Sequence, residues 1–180
     1  MSNVLVPEFV SVDQAIEWAS KLYQQTEWKL QDIDLQLVND IMRQFRRLAT
    51  DFPILAESLT FLGLSDRLNT EAEGHGTMAA YEERAGAIHL NKKFWLDKEK
   101  LSQSTLNCMI NMWLPLVEDC LASLITHEFA HAVYEAFEYS GQYTEHFQNW
   151  RQSQPLYVCE YAKTNEKELF ACTLTSYYHD

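Results

Sequence analysis

The five residues His127-Glu128-Phe129-Ala130-His131 carry the strongest chemical signal in the chain. Histidines at i and i+4 project from the same side of a helix, one turn apart. That spacing lets both imidazoles reach one zinc ion at about 2.0–2.1 Å. Glu128, beside the first histidine, is placed to act as general base toward a water on that metal. With six histidines in 180 residues, chance alone would give this pattern roughly 0.02 times. The bland alternative is two histidines sharing a helix by accident, with Glu128 on its solvated side. Burying two unpaired imidazoles on an apolar stripe costs desolvation without return, which favours the metal.

A zinc hydrolase needs a third protein ligand and an open fourth position. Three downstream groups compete for that role. His146 lies in a polar linker, His179 is the penultimate residue, and Glu168 lies in a helix-forming run, Asn165-Glu166-Lys167-Glu168-Leu169-Phe170-Ala171. Phe170 and Leu174 are expected on that helix's buried side.

The stretch His127-Glu128-Phe129-Ala130-His131-Ala132-Val133 is followed downstream by Tyr161-Ala162-Lys163-Thr164-Asn165-Glu166-Lys167-Glu168-Leu169-Phe170-Ala171. Together these segments resemble the catalytic domain of anthrax toxin lethal factor and its phage-borne and toxin-borne metallopeptidase relatives. The family pairs H-E-F-[GA]-H-A-V with Y-x-x-T-N-x-x-E-x-F-A, and the two halves together are far more specific than either alone. The resemblance implies a zincin-like fold. It also implies one Zn2+ per chain held by His127, His131 and Glu168, with Glu128 as base. Tyr161 matches the family tyrosine whose hydroxyl faces the zinc and stabilises an oxyanion or helps protonate a leaving amine. Without the matched spacing, Tyr161 would read as a packed aromatic. Thr164 or Asn165 caps the last helix in this reading, which puts Glu168 in its first turn. The hairpin-like stretch from Met78 to Asn91 fits the family's strand ahead of the zinc helix loosely, and residues 1–75 carry no resemblance. One departure stands out. Family members commonly have a second glutamate after F-A, where this chain has Cys172, so an acid that would orient a ligand is missing.

The elements that must position these residues are readable in outline. Ser11 and Gln14 form a capping-box pattern ahead of Ala15, Ile16, Ala19, Leu22 and Tyr23 at helical spacing. A second helix is expected from about Leu30 to Leu48, with Ile33, Leu37, Ile41 and Phe45 on one face and Pro53 ending it. Ser58 to Gly63 reads as a short strand. Thr77–Tyr81 and Ala87–Leu90 read as an antiparallel hairpin turning through a stretch that ends in Gly86. Helix is expected from Leu96 to Trp113, with Pro115 as a break, then from about Val117 to Tyr139, and finally from Asn165 to Tyr178. Between the last two, a linker runs to about Gln154, and Tyr157 to Cys159 is extended or loop. The sum is α+β, mostly helical with a small antiparallel sheet. We expect one metallopeptidase domain over 1–180, with an N-terminal helical part to about residue 70 and a catalytic core from about 76.

Composition narrows the functional classes. The formal net charge is −12, which repels phosphate backbones and anionic lipid, so neither nucleic acid nor a membrane surface is the expected partner. No apolar run approaches the length of a membrane span, and no secretory signal is visible at the N-terminus. The expected location is therefore cytoplasmic, with delivery out of the cell by another route open. The four cysteines, Cys108, Cys120, Cys159 and Cys172, form no Cys-x-x-Cys pair and read as buried thiols in a reducing compartment, with a secreted disulfide pair as the alternative. His75 reads as a loop residue. His89 alternates with Ile88 and Leu90 on a strand, facing outward or toward a cleft. Trp95, Trp113 and Trp150 read as core or surface packing rather than substrate platforms, and Arg46-Arg47 as a helix face. The leading expectation is a zinc-dependent metalloendopeptidase acting on a protein or peptide substrate. The alternatives are a catalytically silent binding or structural module of the same fold and a zinc amidase acting on a non-protein amide.

Overall fold

A computed structural model describes residues 6–68, 77–140 and 158–179. The chain divides into two compact units, 1–101 and 102–180.

The first unit opens on helix α1 (Val12–Leu22). Ser11 caps it by accepting a hydrogen bond from the Gln14 amide, while the Gln14 side chain accepts from the Val10 amide. The reciprocal pair satisfies donors that would otherwise have no partner at the helix start. Strand β1 (Glu27–Lys29) follows, then α2 (Leu35–Asp51), α3 (Pro53–Ser58) and β2 (Phe61–Ser65). Next come β3 (Ala79–Glu82), β4 (Ala87–Asn91) and the short α4 (Lys92–Trp95). Helix α5 (Lys98–Ile110) crosses the boundary between the units.

The four strands form one sheet in the order β1-β2-β4-β3. β1 with β2 and β2 with β4 are parallel, whereas β3 pairs antiparallel with β4. The sheet is therefore mixed, not antiparallel as expected. The sequence reveals the β3–β4 hairpin because its turn is local. The parallel pairings join β1 to β2 across α2 and α3, and β2 to β4 across β3, so neither leaves a local signature. Gly86 takes a left-handed φ of +60° where the turn enters β4, a conformation that costs glycine little. Gly63 stands in register with Lys29, and a Cβ there would come within 2.4 Å of the Lys29 side chain.

The core of this unit is aromatic at one end. Tyr23 meets Phe45 edge-on at 4.6 Å, and Trp28 meets Phe45 at 5.2 Å. Leu37, Ile41, Phe45 and Leu48 on α2 are buried as the helical period requires. Leu30 and Ile33 are buried too but precede the helix. Asp32 adopts a φ of +54°, and Asp34 caps α2 by accepting from the Gln36 and Leu37 amides. The expected helix start at Leu30 is thus five residues too early. The expected strand from Ser58 begins three residues late, at Phe61, because α3 occupies the chain through Ser58.

The second unit holds the rest of α5, then α6 (Cys120–Ser140), a 3₁₀ turn (Tyr161–Lys163) and α7 (Glu166–His179). Asp119 caps α6 by accepting from the Ala122 amide at 3.0 Å. From Ala122 to Ala130 every residue of α6 is buried, the condition of a helix enclosed on all sides. α7 packs against α6, and Tyr134 meets Phe170 at 5.6 Å between them. The most buried residues of α7 are Leu169, Ala171, Cys172, Thr175 and Tyr178. Phe170 and Leu174, the anchors expected from spacing, are only partly buried.

Among the described residues no helix is long and apolar enough to cross a membrane. His75, His146 and Trp150 lie outside the described residues, as does the linker before Val158.

Candidate metal centre

His127 and His131 sit one turn apart in the enclosed stretch of α6, their rings 4.8 Å apart and nearly perpendicular. Glu168 reaches them from α7. Its direction is set by the helix start: the Asn165 side chain accepts from the Lys167 and Glu168 amides, both at 3.0 Å, so Glu168 is locked into the first turn. Three atoms converge. His127 Nε2 lies 3.2 Å from His131 Nε2 and 3.2 Å from Glu168 Oε2, and His131 Nε2 lies 3.4 Å from Glu168 Oε2. Among the described residues, these three form the group of His, Cys, Asp and Glu side chains able to hold a metal ion.

The triangle fits a metal. Three ligand bonds of 2.0–2.1 Å at tetrahedral angles require edges of about 3.3 Å. The triangle's own hydrogen bonding is poor. Two imidazole nitrogens face each other, and the buried Glu168 Oε2 has no hydrogen bond of acceptable angle despite both neighbours. A buried carboxylate oxygen without a hydrogen bond is costly, and a cation between it and the two imidazole nitrogens would remove that cost. Two imidazole nitrogens and one carboxylate are a donor set used by first-row ions such as zinc and iron(II). The second face of the His127 ring is unusual, since its Nδ1 is buried without a partner, where metal-bound histidines commonly donate to an acceptor.

Charge is arranged to match. Burial alone would raise the Glu168 carboxyl, but its contacts with His127 and His131 outweigh this and bring it down to about 2, so it stays an anionic ligand. Glu128 is buried beside the group, and its carboxyl is raised by loss of solvent, against the opposing pull of His127 and His131. A carboxylate moved upward is better matched to taking and returning a proton near neutrality.

Tyr161 stands in the 3₁₀ turn just before α7. The amides of Glu160 and Tyr161 both donate to the Met112 carbonyl, at 2.8 and 3.4 Å, and Met112 itself holds a φ of +60°. The Tyr161 ring lies 6.4 Å from the His127 ring, and its hydroxyl is within hydrogen-bonding reach of Glu168. Burial, reinforced by the Glu168 charge, pushes this phenol up to about 12, so it keeps its proton and remains a donor.

Of the other candidates, His179 is turned elsewhere: its Nε2 pairs with Thr126 Oγ1 at 2.8 Å. His89 belongs to the first unit, where it contacts Glu82 Oε2 at 2.9 Å beside Arg67. Trp95 is a core residue, its indole N–H donating to the Met78 carbonyl. Trp113 packs at the surface. It is 52% exposed and stacks on Tyr161 at 6.4 Å with ring planes 13° apart. Nothing in the local sequence announces that contact, because it joins the loop after α5 to a residue almost fifty positions later. The cysteines are all thiols: Cys159 and Cys172 are buried, and Cys108 and Cys120 are partly buried.

No family model, curated protein or solved structure matches this chain. The functional reading therefore stands on the residues themselves.

Proposed function

We propose that the chain is a zinc metalloendopeptidase of the lethal factor-like, zincin type. The observation that carries this reading is the convergence of His127, His131 and Glu168, with the buried Glu128 carboxyl and the Tyr161 hydroxyl beside them. His127, His131 and Glu168 would hold the ion. When bound, zinc supplies Lewis acidity, which makes water nucleophilic near neutral pH and draws electron density from a carbonyl oxygen.

The chain's own groups do the rest. Glu128 accepts the proton of the attacking water and returns it to the departing amine, a role for which a desolvated carboxylate is suited. Tyr161 donates its hydroxyl hydrogen bond to the carbonyl oxygen as negative charge builds there. Asn165 holds the start of α7 so that Glu168 faces the two histidines. Trp113, stacked on Tyr161, limits the rotation of the phenol ring.

The decisive experiment is a peptide-library digest with the wild type and with Glu128→Gln. The glutamine keeps the carboxylate's shape but cannot take the proton. We expect discrete cleavage by the wild type and loss of about 10²–10⁴ in rate in the variant, with zinc retained in both. A wild type that holds zinc yet cleaves nothing in the library and in a whole-proteome digest would instead support a binding module.

A further inference from the structure

Cys159 and Cys172 take no part in the steps above, yet they are placed for chemistry of their own. Their sulfurs lie 3.0 Å apart, thirteen positions apart in sequence. Both are buried in a small apolar cluster with Ala162 and Leu169, covered on one side by the partly buried Val158. Cys159 sits in an irregular bend immediately before the turn that carries Tyr161, and Cys172 sits on α7 one turn beyond Glu168. A disulfide needs a sulfur separation of about 2.0 Å, so closure asks for a movement of about 1 Å. The bend at Val158 to Glu160, which belongs to no helix or strand, can supply that movement while α7 stays in place.

We propose that Cys159 and Cys172 are a peroxide-reactive pair that closes into a disulfide, fastening the Tyr161 turn to α7 next to the metal-type cluster. The step balances. The Cys159 thiolate attacks one peroxide oxygen, the O–O bond breaks, and the departing hydroxide takes a proton and leaves as water. Cys159 is now a sulfenic acid, oxidised by two electrons while the peroxide is reduced. The sulfur of Cys172 then attacks Cys159 Sγ, and its proton leaves with the hydroxyl as a second water. Two thiols and one peroxide become one disulfide and two waters, and a dithiol reductant reverses the result.

Two observations order these events. The hydrogen-bonding contact with Cys172 lowers the Cys159 thiol to about 7, which makes Cys159 the attacking sulfur. The apolar cover over the pair excludes bulky disulfide oxidants and leaves peroxide, which is close to water in size. The proposal needs neither zinc nor proteolysis, so it stands or falls separately from the function above.

The test uses the full chain, reduced and freed of reductant. It is exposed to a several-fold excess of hydrogen peroxide, quenched, denatured and alkylated. We expect the loss of two hydrogens in the intact mass, two fewer alkylated cysteines, and a digest peptide linking Cys159 to Cys172. Dithiothreitol should restore all four thiols. Because the link closes a short loop, the oxidised form should melt roughly 6–12 °C higher. Cys159→Ala and Cys172→Ala should each abolish the loss of two hydrogens, and the wild-type peptide map decides the matter even if a variant folds poorly. Four alkylatable thiols after peroxide treatment, or a link to Cys108 or Cys120 instead, would overturn the pairing. An unchanged melting temperature in fully linked protein would overturn the fastening of the turn.

Discussion

Thr26, Asn91 and Trp95 in the first unit direct their buried side-chain donors at backbone carbonyls: Thr26 at Leu59, Asn91 at Thr77 and Leu68, Trp95 at Met78. His127, His131 and Glu168 in the second unit aim their polar atoms at one another. The first pattern closes loops and sheet ends, and each bond contributes about 1 kcal/mol of stability. The second leaves Glu168 Oε2 buried without a hydrogen bond, although two imidazole nitrogens lie within 3.4 Å of it. Buried atoms without a hydrogen bond occur in both units, at Trp28 Nε1 and Gln44 Oε1 in the first and at Thr173 Oγ1 in the second, but among the described residues only His127, His131 and Glu168 bring three possible metal-ligand atoms within 4.8 Å of one another. Convergence, more than burial, separates a site built to bind from a core built to last.

The comparison breaks most completely at the histidines. Protein purified without added zinc should carry about one equivalent per chain, and His127→Ala with His131→Ala together should carry none and show no cleavage. Zinc retained by that double variant would remove the site. In the first unit the matching blow is Phe45→Ala, which opens the aromatic cluster of Tyr23, Trp28 and Phe45. It should cost about 3–5 kcal/mol in denaturant unfolding, with the zinc content of the folded protein unchanged. A loss of zinc in proportion to the loss of stability would show that the two units are not separable in this way.

What was legible in the sequence follows the same division between local and long-range. Both halves of the site lie on helices expected from the sequence, with Asn165 among the expected caps of α7, whereas α6 was expected from about Val117 and starts at Cys120 behind its Asp119 cap. The hairpin at Gly86 was legible because its turn chemistry is local. Strand β1 was not, since it is three residues long with only Trp28 pointing inward, too little for an alternating pattern. The burial of Leu30 and Ile33 imitates a helix period, and only the left-handed Asp32 reveals that the helix has not begun. The contacts of Trp113 with Tyr161 and of Cys159 with Cys172 depend on chain segments brought together by folding, which no window of sequence contains.

Tyr161→Phe sharpens the comparison within the site. If the hydroxyl acts only as charge develops, kcat falls by about 10²–10³ while KM, zinc content and melting temperature stay near wild type. A phenylalanine variant with wild-type turnover on a cleaved peptide would make Tyr161 a packing residue, with its stacking on Trp113 its whole contribution.

The smallest expected effect comes from two helix caps that differ in what they hold. Ser11 caps α1 by accepting from Gln14, and Asn165 caps α7 by accepting from Lys167 and Glu168. Replacing either by alanine removes a side-chain acceptor from a helix start and should cost about 1 kcal/mol. Ser11→Ala should do nothing more. Asn165→Ala should also weaken zinc binding by about 10-fold, because the amide it releases belongs to the residue whose carboxylate completes the triangle. Asn165→Asp, which keeps the acceptor, should recover both properties. Competition against a chelator of known affinity reads the zinc term separately from unfolding. If the two alanine variants lose stability alike and Asn165→Ala binds zinc as tightly as the wild type, then packing of α7 against α6 aims Glu168, and the cap only starts the helix.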